Sequence, residues 1–126
     1  MTLPDPAAFA ATWVAAWNAH DLDAVLSLFH DDVVFTSPLA AQLLPDTGGV
    51  VRGKDALREY WSRGLRAYPD LHFTVERVFS GVGALVIEYR NHRGGLVDEV
   101  LVLRDGLVAE GHGTYLPDTD PAPAPA

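Results

Sequence analysis

The chain has 126 residues, a net charge of −8, 48% hydrophobic and 21% charged residues, and no cysteine. That is the size of one domain with one core, and it excludes disulfides, thiolate catalysis and cysteine-ligated metals. One lysine (Lys54) and eight scattered arginines do not make the clustered positive charge that nucleic acid or an anionic membrane surface requires. No apolar run is long enough to span a bilayer, and no basic segment precedes an apolar one at the N-terminus. A cytoplasmic protein is therefore expected.

The elements follow in chain order. Asp5-Pro6 predicts a helix start, an acidic cap with proline at the first helical position. Phe9, Trp13 and Trp17 then recur at every fourth residue, as one apolar stripe. Asn18-Ala19-His20 breaks this helix, and Asp21 caps a short second one carrying Leu22, Val25, Leu26, Leu28 and Phe29. Val33–Ser37 reads as a short strand stopped by Pro38. Residues Leu39–Val51 read as an irregular loop of a length that is often functional. Gly53 opens a third helix over Ala56, Leu57, Tyr60, Trp61, Leu65 and Tyr68, closed by Pro69. The period then changes from helical to alternating. Four strands are predicted, over Leu71–Ser80, Ala84–Arg93, Leu96–Arg104 and Leu107–Tyr115, with Gly94-Gly95 and Asp105-Gly106 as hairpin turns. Helices first and an antiparallel meander second give an α+β class. The expected organisation is one domain over residues 1–116 and a disordered Pro/Ala-rich tail over 117–126.

One acidic residue falls in apolar company. In the run from Gly95 to Leu103, alternation puts Val97, Leu101 and Leu103 on one face, with Glu99 among them. A carboxylate there is costly unless paired, hydrogen-bonded or protonated. A small-molecule site has this pattern, and so does a carboxylate tied to a neighbour for structure. Tyr89 and Asn91 share a face with Leu85 and Ile87 and would neighbour Glu99 across the hairpin. The competing reading makes Tyr89 a core aromatic and Asn91 a strand-end residue. The five histidines, His20, His30, His72, His92 and His112, have no ligand spacing, so no metal site is predicted. The glycines form no phosphate loop, and no cofactor is expected.

The order of elements resembles the nuclear transport factor 2-like superfamily, in its SnoaL-like polyketide cyclase and ketosteroid isomerase branch. The segments that carry the resemblance are Trp17-Asn18-Ala19-His20-Asp21-Leu22-Asp23-Ala24, then Phe29 through Pro38, and Val51-Arg52-Gly53-Lys54-Asp55-Ala56-Leu57. The resemblance implies three helices packed on a curved, mainly antiparallel sheet that forms a cone around a deep apolar pocket, with homodimers made through the outer sheet face. It aligns the isomerase base with Ser37, the oxyanion-binding tyrosine with a position near Trp13, and the protonated carboxylic acid with Glu99. The cyclase aspartate aligns near Gly111-His112-Gly113.

The expected function is binding of a small hydrophobic molecule. The reaction would be a cofactor-free isomerisation, cyclisation or hydration of a carbonyl compound, with Glu99 as acid or base. Candidate ligand contacts are Trp13, Trp17, Ser37, Tyr60, Tyr89, Asn91, His112 and Tyr115, although Trp17 and Tyr60 also read as plain helix core. The alternative is a non-catalytic ligand-binding or dimerisation module. An apolar outer surface, read as Val100 and Val102 with Val86 and Val78, supports that alternative.

Overall fold

Two capped helices lead into the sheet. A computed structural model describes residues 5–117; the tail predicted over 117–126 lies outside them, apart from Pro117. Helix α1 (Pro6–Asn18) is capped by Asp5, whose side chain accepts from the Ala8 amide, and α2 (Leu22–Leu26) by Asp21, which accepts from Ala24. Then come β1 (Phe29–Thr36), α3 (Pro38–Leu43), a 3-10 turn (Pro45–Thr47), β2 (Val50–Arg52) and α4 (Lys54–Ala67). Strands β3 (Thr74–Gly81), β4 (Ala84–Arg90), β5 (Leu96–Arg104) and β6 (Leu107–Tyr115) complete the chain. The six strands form one curved sheet in the order β2-β1-β6-β5-β4-β3. The β1–β6 pair is parallel and the other four are antiparallel.

Two expectations are corrected. The 39–51 stretch is not a plain loop. Ser37 caps α3 through a bond from the Leu39 amide, Pro38 takes the first helical position, and Val50–Arg52 adds an edge strand. Strand β1 also begins earlier than expected, at Phe29 rather than Val33, because Phe29 pairs with Val108 of β6. The Asp105-Gly106 turn is as predicted: both residues have positive φ, 54° and 82°, the geometry of a type I′ hairpin.

The concave face of the sheet is covered by α1 and α4, whose stripes bury Phe9, Trp13, Trp17, Leu57, Tyr60 and Trp61. The aromatic rings interlock there. Trp17 and Phe35 both meet Trp61 edge-on, with centroids 4.9 and 5.4 Å away. Asn18 ties the end of α1 to the sheet side: its amide donates to the Phe73 carbonyl at 2.9 Å and its oxygen accepts from the Phe73 amide at 2.8 Å.

Candidate functional site

Strand alternation places Glu99 where its spacing predicted, pointing inward between Ile87 on β4 and Gly113 on β6. Its relative exposure is 0%. Neither carboxyl oxygen has a hydrogen-bond partner among the described residues, so no neighbouring side chain or amide of theirs offsets the cost of charge. Burial pushes its pKa from the usual 4.5 up to about 8. The competing structural reading needed an arginine or tyrosine tied to this carboxylate, and neither oxygen has one.

Three tyrosines approach the same space from three elements. On β4, Tyr89 is fully buried with an unpartnered hydroxyl. Its pKa is raised by burial first and by Glu99 and Tyr115 next. Tyr60, on α4, is raised chiefly by burial, with a smaller contribution from Glu99, and donates its hydroxyl to Ser37 Oγ at 3.1 Å. On β6, Tyr115 stands opposite Val97, on the inward face. Trp13 closes the group from α1. Its ring lies 5.2 Å from Tyr89 and 5.7 Å from Phe73, and Tyr89 and Phe73 are 4.4 Å apart. The indole Nε1 of Trp13 is buried and unpartnered. The site thus holds a basic carboxylate, the unpartnered Tyr89 hydroxyl beside it and a stack of flat rings that ends at Trp13, whose indole N–H is also unpartnered.

Other expected residues fall elsewhere. His112 is not in this group. Regular pairing from the Asp105-Gly106 turn would set it opposite Glu99. An extra residue, Ala109, bulges out of β6 between the Val102–Glu110 and Leu103–Val108 pairs, so Glu99 faces Gly113 and His112 faces Val100 on the outer side. There His112 Nδ1 meets Thr36 Oγ1 and its Nε2 meets Glu110, both at 2.6 Å. Asn91 is buried, but its side-chain oxygen accepts from the Arg93 and Gly95 amides and builds the β4–β5 turn. Trp17 packs between Trp61 and Phe73 as core. Ser37 is occupied as a helix cap and as the acceptor for Tyr60. The outer patch also changes membership. The β3–β4 turn has two residues, so Gly81 pairs with Ala84, Val78 turns inward with Ile87, and Phe79 turns outward with Val86.

Gly113 was singled out in sequence only as an alignment position, and Phe73 not at all. Counting register from the Asp105-Gly106 turn would have missed Gly113, because the bulge at Ala109 shifts it by one. Clefts of about 310–510 Å³ open at several places on the surface. Glu99 lines none of these: the aromatic stack fills the concave face around it, so the deep apolar pocket expected there is corrected to a packed aromatic interior. One cleft reaches Ser37 and Gly113, the cap and the cross-strand neighbour of the site.

The model of the SnoaL-like domain matches residues 10–122. The chain belongs to the SnoaL-like family. A SnoaL-like protein of unknown function from Burkholderia thailandensis is 38% identical, with a TM-score of 0.84 over 88% of this chain and 93% of that one. AclR, a putative hydroxylase from Streptomyces galilaeus, is 21% identical with a TM-score of 0.71, over 94% and 93% of the two chains. TerC, crystallised with polyporic acid, is 14% identical with a TM-score of 0.72, over 89% and 92%. The last two share the fold, the nuclear transport factor 2-like, cystatin-like architecture also found in other solved structures. No curated protein matches the sequence. No helix among the described residues is long and apolar enough to cross a membrane.

Proposed function

We propose that this SnoaL-like protein binds a small hydrophobic carbonyl compound and moves a proton on it without a cofactor, with Glu99 as the shuttle. The observation that carries this reading is a fully buried carboxyl with both oxygens unpartnered. A carboxyl held near 8 populates both forms around neutral pH and is a far stronger base than an ordinary carboxylate. In the reaction, the ionised Glu99 takes a proton from the carbon beside the carbonyl. The C–H bond breaks, an O–H bond forms on Glu99, and the electron pair moves onto the carbonyl oxygen. Tyr89 Oη and Trp13 Nε1 are the unused donors that would face that oxygen. Return of the proton to a different carbon gives an isomerisation; attack of the enolate carbon on a second carbonyl forms a C–C bond and an alkoxide, which takes the proton back from Glu99, and gives a cyclisation. That the fold relative TerC was crystallised with polyporic acid supports a small-molecule role.

The test is exchange of α-protons for deuterium in a panel of cyclic ketones, followed by NMR in D₂O. The wild type is expected to accelerate exchange, and Glu99→Gln to lose that acceleration. Equal rates in the two proteins refute the role.

A second reading rests on the outer sheet face, where Phe79 is 49% and Val102 38% exposed, with Val86 and Val100 on the same side. This patch suits a homodimer built through the sheet. Light scattering should give a dimer for the wild type and a monomer for Phe79→Lys; a monomeric wild type at working concentration refutes it. A dimer that exchanges no proton would make the chain a binding or dimerisation module.

A further inference from the structure

Glu99 is sealed from the surface, yet any substrate must reach it. The route is marked by the cleft at the end of β1, lined by Ser37, Pro38, Ala41, Gly49, Val50 and Gly113 among others. Two of these residues adjoin the site. Gly113 stands directly opposite Glu99, about 5 Å away across the ladder, and contributes no side chain between the two. Ser37 holds the Tyr60 hydroxyl. The cleft also differs in charge from the four other clefts described above. No ionisable side chain lines it, whereas the remaining clefts carry Asp5, Glu88 with Asp98, Lys54 with Asp31, or Glu76 with Arg77. Its volume is about 340 Å³. The cleft lies open at the surface; an enclosed apolar cavity of roughly 150 Å³ accepts benzene, so its volume sets an upper bound of about two fused rings.

The geometry points to this cleft as the outer subsite and entrance of the Glu99 site, for a neutral, flat compound of up to about two rings whose carbonyl passes over Gly113. The inference rests on the reading of Glu99 as the acting group and adds the route, size and charge of what it acts on. One wall of the cleft is α3, through Pro38 and Ala41. It is six residues long, it is capped by Ser37, and after the 3-10 turn the chain passes through Gly48 and Gly49 at φ 65° and 88°, a backbone that glycine adopts without strain. A carboxylate ligand is disfavoured twice, by a cleft with no cation and by the carboxyl beyond it.

The experiment uses the full chain, ¹⁵N-labelled, titrated with 2-acetylnaphthalene and, separately, with 2-naphthoate. The ketone should shift the amides of Ala41, Gly48, Gly49 and Gly113 and bind at least tenfold more tightly than the naphthoate at pH 7. Ala41→Trp fills the cleft from an exposed helix position, and should weaken ketone binding tenfold or more with little change in Tm. The inference is overturned if the ketone fails to bind at millimolar concentration, if its shifts map instead to Ala11 and Val75 beside the groove of α1 and β3, if naphthoate binds as well, or if Ala41→Trp binds as the wild type does. An indifferent Ala41→Trp in a protein whose exchange depends on Glu99 defeats the entrance alone. Binding that is sensitive to Ala41→Trp, with exchange no faster than in buffer, defeats the proton shuttle alone.

Discussion

Replacing Glu99 by Gln isolates the cost of the buried acid, and its signature is a dependence on pH. The folded carboxyl titrates near 8 and the unfolded one near 4.5, so the folded state holds its proton more tightly. A carboxyl raised on folding gives its full stability below the unfolded value and loses it as pH rises through the folded one. The window is therefore about pH 4.5 to 8, with stability flat beyond it. At 1.36 kcal/mol per pH unit, the wild type loses about 4 kcal/mol from this single group between pH 5 and 9. Gln has nearly the same shape and no proton to lose, so Glu99→Gln sheds that slope. The variant should be near the wild type in stability at pH 5, and more stable by a few kcal/mol at pH 9. In a chain of this size that difference is on the order of 10 °C in Tm. Urea melts of both proteins at pH 5, 6, 7, 8 and 9 measure the difference directly, and groups shared by the two proteins cancel in it. A difference that stays constant with pH refutes the buried-acid account. A Glu99→Gln variant destabilised by several kcal/mol at every pH would show that the carboxyl holds a structural partner.

Further perturbations address the parts that hold the site. Ser37→Ala removes the cap of α3 and the acceptor of Tyr60, and should cost about 1–2 kcal/mol by chemical denaturation; no loss would detach α3 from the site's support. Gly111→Ala places a Cβ 2.8 Å from Phe35 Cδ1 and 3.2 Å from Leu101, so overpacking of about 1–3 kcal/mol is expected, and a variant as stable as the wild type refutes the close packing of β6 on β1. Asn18→Ala breaks both bonds to the Phe73 backbone. It should cost about 2–3 kcal/mol and should raise hydrogen exchange at the Phe73 amide, with unchanged protection there counting against the clamp.

Local signals were legible in the sequence. Asp5-Pro6 starts α1, the period of Leu57, Tyr60, Trp61 and Gly64 sets α4, and Asp105-Gly106 makes the hairpin. Glu99 stood out because period-two alternation is a property of one strand, needing no knowledge of its neighbours. The misreadings came from relations between strands. The bulge at Ala109 inserts one residue without any change in composition, and it exchanges the faces of His112 and Gly113. The two-residue turn at Val82-Gly83, read as three, exchanged Val78 with Phe79. Helix α3 was missed because Ser37-Pro38 was read as the end of a strand, although a capping serine followed by proline is equally the start of a helix.

The position of Glu99 sets stability against use. Its neighbours along the inner face of β5 are Val97, Leu101 and Leu103, all buried, and an aliphatic side chain in its place would join them with no charge to desolvate. Stability alone therefore gives no reason for an acid there. Across the ladder stands Gly113, which places no side chain beside the carboxyl. A buried acid and the glycine opposite it meet at one place, and a cleft lined by no ionisable side chain reaches the same glycine. A structural explanation has to account for the acid and the glycine separately; passage of a neutral ligand to a proton-accepting group accounts for the acid, the glycine and the cleft together.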